Sequence, residues 1–137
     1  MKSILIFAAA LVVFSCSKNS NSPEENGIEQ ITLKVTVHNT QDDPVTEGWV
    51  RILADAGEKP HWLDQGWTTV EKDELQALDD NGESRFVFGY WEIDPAKKYV
   101  NLKNVKIFDL QNTLIKEDTT ARKIYSGEIK VFDYIIE

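Results

Sequence analysis

Sulfur is nearly missing from this chain of 137 residues, which has one cysteine and one methionine. A single thiol excludes an intrachain disulfide, so any folded part must rest on its own apolar core. Histidine is almost as scarce: His38 and His61 do not fall at the spacing of a metal-ligand motif. His38 ends an alternating stretch on its polar side and reads as a solvated side chain. There is no Gly-x-Ser-x-Gly sequence, which removes the nucleophile elbow of the α/β hydrolases. Positive charge is in deficit, with 15 Lys and Arg against 23 Asp and Glu and a net charge of −8. Such a balance argues against nucleic acid and against anionic lipid headgroups as partners. No run of like charge is long enough to be an interaction tail, and no internal repeat occurs. Nor does any apolar run reach the roughly 20 residues that cross a bilayer as a helix.

The longest apolar run that does occur is Ile4 to Phe14, eleven residues preceded by the positive charge of Lys2. That length and flank suit a secretory signal. Its end, Val13-Phe14-Ser15-Cys16, resembles the bacterial lipobox: an aliphatic residue, two positions that take small residues, then the cysteine. The resemblance implies that Cys16 is the lipid attachment site and becomes the first residue of the mature chain, with residues 1–15 as a lipoprotein signal peptide. Acylation would also remove the redox liability of one unpaired thiol in an oxidising compartment. A single acyl chain holds a protein only marginally, whereas several anchor it stably.

Residues 16–27 read as a lipid-anchored flexible linker. Ser17 to Gly27 contains no apolar side chain, so it has no surface to bury against its ordering entropy. Ser17 after the cysteine resembles the outer-membrane sorting preference of Gram-negative bacteria, and Glu24-Glu25 resembles the acidic export signal of Bacteroidetes-type surface lipoproteins. The expected location is therefore the cell envelope, lipid-anchored in the outer membrane. Loss of the signal removes Lys2 and leaves 14 basic against 23 acidic residues, a net charge of −9.

Residues 28–137 are one domain's length of chain. Their pattern is β. Ile31, Leu33, Val35 and Val37 alternate with polar residues up to His38. Asn39 to Pro44 is turn chemistry, and a second strand is expected near Trp49 to Ala54, broken by Gly57 to Pro60. Asp79-Asp80-Asn81-Gly82 is a turn before a strand over Ser84 to Trp91, with Phe86, Phe88 and Tyr90 on one face. Asp94 to Lys97 turns again, and Tyr99 to Leu110 supplies one or two strands. Asp109 to Asn112 can close a hairpin onto Leu114 to Glu117, and the last strand runs from Glu128 to Ile136, with Ile129 and Val131 alternating with Lys130 and Phe132. Thr68-Thr69-Val70-Glu71 matches a capping box, and Leu75 and Leu78 would share a helical face. Residues 69–78 are therefore either one short helix or an edge strand. The expected fold is all-β, a single β-sandwich of about seven strands with at most one short helix.

Pro44-Val45 after a turn, followed by Asp79, Gly82 and Phe86 at their spacing, resembles the carboxypeptidase-regulatory-like (transthyretin-like) β-sandwich modules. Asp42 stands where that family has a turn glycine, Glu47 replaces another, and the stretch between the two motifs is longer than usual. The resemblance implies a transthyretin-like or immunoglobulin-like sandwich, and modules of this kind are commonly non-catalytic accessory domains of exported proteins. The transthyretin-like hydrolases end in Tyr-Arg-Gly-Ser, whereas this chain ends Phe132-Asp133-Tyr134-Ile135-Ile136-Glu137.

No enzyme is expected, and no cofactor or metal. The carboxylates at Asp42-Asp43 and Asp79-Asp80 sit in turns, and Asp79, Asn81 and Glu83 lack the further ligands of an EF-hand loop. The four tryptophans stand out. Trp49 is out of phase with Val50, Ile52 and Ala54, and so is expected on the opposite side of its sheet. Trp62 and Trp67 lie in an aperiodic segment with Asp64 and Gln65, where indoles could stack on sugar rings while the polar groups bind hydroxyls, or could equally close the ends of the core. Two functions thus stand: a structural or protein-interaction module of the envelope, or a carbohydrate-binding lipoprotein using exposed tryptophans. The sequence leaves the envelope protein or glycan partner unidentified.

Overall fold

The alternation of Ile31, Leu33, Val35 and Val37 builds a central strand, β1 (Ile31–His38), whose four inward side chains are buried. The computed structural model describes residues 27–58 and 68–137. In chain order β1 is followed by β2 (Trp49–Glu58), β3 (Thr68–Ala77), β4 (Glu83–Phe88), β5 (Tyr99–Phe108), β6 (Leu114–Asp118), β7 (Arg122–Tyr125) and β8 (Ile129–Ile135). These eight strands form two sheets. The smaller has the order β4-β1-β8, with β1 antiparallel to β4 and parallel to β8. The larger is antiparallel, β3-β2-β5-β6, and β7 lies end to end with β6 along the same edge of β5. The protein is an all-β sandwich.

Its core is the set of side chains that a period of two directs between the sheets. Val50, Ile52 and Ala54 from β2 meet Leu102, Val105 and Ile107 from β5, and Phe86 and Phe88 from β4 are fully buried among them. Truncating either phenylalanine to alanine would cost about 3–5 kcal/mol. Trp49 points to the outer face of the larger sheet, as its phase requires, and lies opposite Ala77 and Phe108.

One turn design recurs three times. In Asn39–Asp43, Asp79–Glu83 and Asp109–Thr113, the first side chain accepts hydrogen bonds from the backbone N–H groups two and four residues on. Its own N–H donates to the fifth residue's carbonyl, and its carbonyl accepts from the fourth residue's N–H. The fourth residue takes a positive φ each time: 67° at Asp42, 72° at Gly82 and 64° at Asn112. Asx side chains stabilise such turns by replacing a turn of backbone. Asp42 and Asn112 thus hold a left-handed backbone without being glycine, which Asx residues tolerate.

Several expectations are corrected or resolved. Residues 69–77 belong to an edge strand, and Leu78 lies just past its end. Ten residues of β3 pair with β2, and the bidentate Arg51–Asp73 pair and the Lys103–Glu71 bridge tie β3 to its sheet. The capping-box residues therefore serve a ladder rather than a helix start. The fourth strand stops at Phe88, short of Trp91: Tyr90–Glu92 is a 3-10 turn, closed by the Glu92 carboxylate accepting from the Gly89 N–H at 3.1 Å. The second strand runs on to Glu58, beyond Ala54. The strand β7 was not expected, because its four residues bury only Ile124 fully.

Candidate interaction surface

The segment with Trp62, Asp64, Gln65 and Trp67, the signal peptide, and Cys16 with its linker lie outside the described residues. The other two tryptophans are placed. Trp49 is half-buried, whereas Trp91 is 51% exposed, with its indole laid against Gly89 so closely that a Cβ there would sit 2.4 Å from the ring. Tyr90 meets the same indole edge-on at 5.2 Å.

The open sides of the sandwich are closed by polar side chains. On one side, the β3 residue Lys72 turns inward, donates to both oxygens of Glu92 at 2.8 and 2.9 Å and to the Val87 carbonyl at 2.9 Å, and lies 4.9 Å from the Phe88 ring centre. The hydroxyl of Ser84 donates to the Ala77 carbonyl at 2.9 Å, linking β4 to the end of β3. On the other side, Tyr134 donates to Asp118 at 2.6 Å, Arg122 bridges Asp118 at 3.0 Å, and the same guanidinium lies 4.4 Å from the Phe132 ring centre. Burial pushes the Asp118 carboxyl up, but the hydrogen bonds from Tyr134, Thr120 and Arg122 together outweigh it and hold the group well below the usual range. Tyr134 is pushed up to about 12, first by burial and then by its bond to Asp118. These clusters fasten one sheet to the other.

Among the described residues, two shallow clefts lie on the larger sheet. One is lined by Asp55, Thr69, Glu92, Asp94, Lys97 and Tyr99, among others. The second sits beside the Arg51–Asp73 pair, against Leu75, Phe108 and Asn112. His38 lies 3.8 Å from both Asp42 and Asp133. Among the described residues no group of His, Cys, Asp and Glu could hold a metal ion, and no helix is long and apolar enough to cross a membrane.

Exposed apolar side chains are spread over both sheets, and four of them share the outer face of the smaller one. Ile129, Val131 and Ile135 of β8 are 68%, 51% and 57% exposed, and Val87 of β4 is 39% exposed. Register places Ile129 beside Thr32, Val131 beside Lys34 and Ile135 beside His38. The inward side chains Phe132, Tyr134 and Ile136 pack on the core, so β8 is apolar on both faces. Two-sided apolar strands usually lie buried inside sheets. Here the strand is at a sheet edge, and that discrepancy was readable in Ile129-Lys130-Val131-Phe132-Asp133-Tyr134-Ile135 once its position was known.

Comparison with known proteins finds no matching family model, no matching curated protein and no matching solved structure.

Proposed function

We propose that the chain is a non-catalytic cell-envelope lipoprotein, anchored in the outer membrane through acylated Cys16 and acting as a protein-interaction or structural module. The observation that carries the interaction role is the exposed apolar face of β8, because side chains such as Ile129 and Ile135 gain from being covered at roughly 25 cal/mol per Å² of apolar surface. The lipobox-like Val13-Phe14-Ser15-Cys16 and the apolar-free linker support the anchor. A carboxypeptidase-regulatory-like module is supported by Pro44-Val45, by Asp79, Gly82 and Phe86, and by the positive φ of Asp42. The test is a photo-crosslinking residue at position 129, with the exposed Leu110 of the β5–β6 turn as control, in cells expressing the full chain. An adduct from 129 and none from 110 is expected; no adduct from either would remove the interaction reading.

A second reading, carbohydrate binding, is favoured by Trp91, whose half-exposed indole lies closely against Gly89 and edge-on to Tyr90. Stacking on a sugar should change the tryptophan fluorescence, and Trp91→Ala should abolish that change. Fluorescence unmoved by a panel of neutral oligosaccharides would end this reading for Trp91.

A further inference from the structure

The sandwich leaves several strand edges open among the described residues, and β8, with only Lys130 and Asp133 as charges, is the least protected of them against pairing with another chain. The free edge of β3 presents Glu71, Lys72, Asp73 and Glu74 in succession. Lys72 donates to the Val87 carbonyl at the edge of β4, β6 ends in Lys116, Glu117 and Asp118, and β7 is only four residues long. Natural sheets blunt their edges in these ways because unpaired N–H and C=O groups template association. β8 is different. It has seven residues, no proline or glycine, no register shift against β1, and charges that cancel between Lys130 and Asp133.

The phase of its hydrogen bonds is fixed by two contacts. Ile136 N–H donates to the His38 carbonyl at 2.9 Å, and the Glu128 carbonyl accepts from Thr32 N–H at 3.0 Å. The N–H and C=O of one residue point to the same side of a strand, and successive residues alternate. Even-numbered residues of β8 therefore face β1, and Ile129, Val131, Asp133 and Ile135 present their N–H and C=O groups to the open side. An antiparallel partner bonds through directly opposed residues that exchange both hydrogen bonds. If a second β8 meets the first with Phe132 on the two-fold axis, Ile129 faces Ile135 of the second copy, Val131 faces its Asp133, and the reciprocal pairs follow. That register uses every outward group. Sliding by two residues one way leaves Ile135 unpaired, and sliding the other way sets Asp133 against its own copy.

We propose that the chain forms a two-fold symmetric dimer by antiparallel pairing of β8, joining two three-stranded sheets into one of six strands. This rests on the interaction reading above and names its partner as a second copy. The pairing is isologous, so it closes at two chains and does not propagate. Beyond the ladder, each Ile129 packs beside the other copy's Ile135 on the outer face.

Val131 is half-exposed, so its polar variants should fold. Val131→Asp sets aspartates against Asp133 twice across the seam, while Val131→Lys sets a lysine against each Asp133. Sedimentation equilibrium of the full chain, in detergent matched to solvent density, is expected to show a reversible dimer for the wild type. Val131→Asp should weaken it roughly tenfold or more, and Val131→Lys should retain it. Circular dichroism checks that both variants keep the fold. A wild type that stays monomeric up to about 100 µM would overturn the proposal. Equal weakening by aspartate and lysine would overturn this register. An adduct at position 129 with a mass other than two chains would overturn the dimer and leave the interaction reading standing.

Discussion

Gly82→Val tests the turn that joins the two halves of the fold. Gly82 has φ 72°, where a β-branched residue is strained by roughly 1–3 kcal/mol. A Cβ there would lie 2.6 Å from the Val37 carbonyl oxygen, 3.0 Å from Pro44 Cβ and 3.2 Å from the Val45 nitrogen. That carbonyl accepts from Val45 N–H at 2.9 Å, and Gly82's own carbonyl accepts from Val37 N–H at 2.8 Å. Relieving the overlap must therefore pull apart the hydrogen bonds that Val37 of β1 makes to two loops, each contributing about 0.5–1.5 kcal/mol. Together the expected loss is about 2–6 kcal/mol. Asn112→Val supplies the control, since it occupies the same position of the same turn design at φ 64° and already carries a Cβ. Its loss should be the strain alone, about 1–3 kcal/mol. Urea unfolding of both variants measures the difference. If Gly82→Val costs no more than Asn112→Val, the close approach to Val37 and Pro44 is not part of what holds the sandwich.

The Asp118–Tyr134 pair should shape both limbs of the stability–pH curve. Asp118 is held below its ordinary value, so its contribution is present above about pH 4 and is lost as pH falls below that; Tyr134 is raised, so its contribution is present below about pH 10 and fades as pH rises toward about 12. Tyr134→Phe should flatten the alkaline limb in urea titrations, and an unchanged slope there would refute the assignment. Asp118→Asn should flatten the acid limb and cost about 2 kcal/mol at neutral pH by leaving the Arg122 guanidinium, whose Nη1 already has no hydrogen-bond partner among the described residues, without its carboxylate. Cys16→Ala should lose both membrane partition and incorporation of labelled palmitate in a Gram-negative host; label retained by the variant would end the lipobox assignment.

Where local chemistry decides, the sequence was enough. The alternation in Ile31–His38, the outward phase of Trp49 and the turns at Asp79–Gly82 and Asp109–Asn112 follow from side-chain period and from Asx or glycine chemistry. The succession of short apolar segments between turns likewise sufficed for an all-β sandwich. Where two local patterns competed, tertiary pairing chose. Thr68–Ala77 holds a helix-start signal and an alternating one, and the ladder to β2, with Arg51 on Asp73 and Lys103 on Glu71, selected the strand. The sequence could not expose β8 either. Apolar residues on both faces imply burial on both, and only the sheet order, which puts β8 outside β1, leaves Ile129, Val131 and Ile135 uncovered. Period is a property of neighbours along the chain, whereas an edge is a property of which strands meet, and strands that meet here can be almost a hundred residues apart.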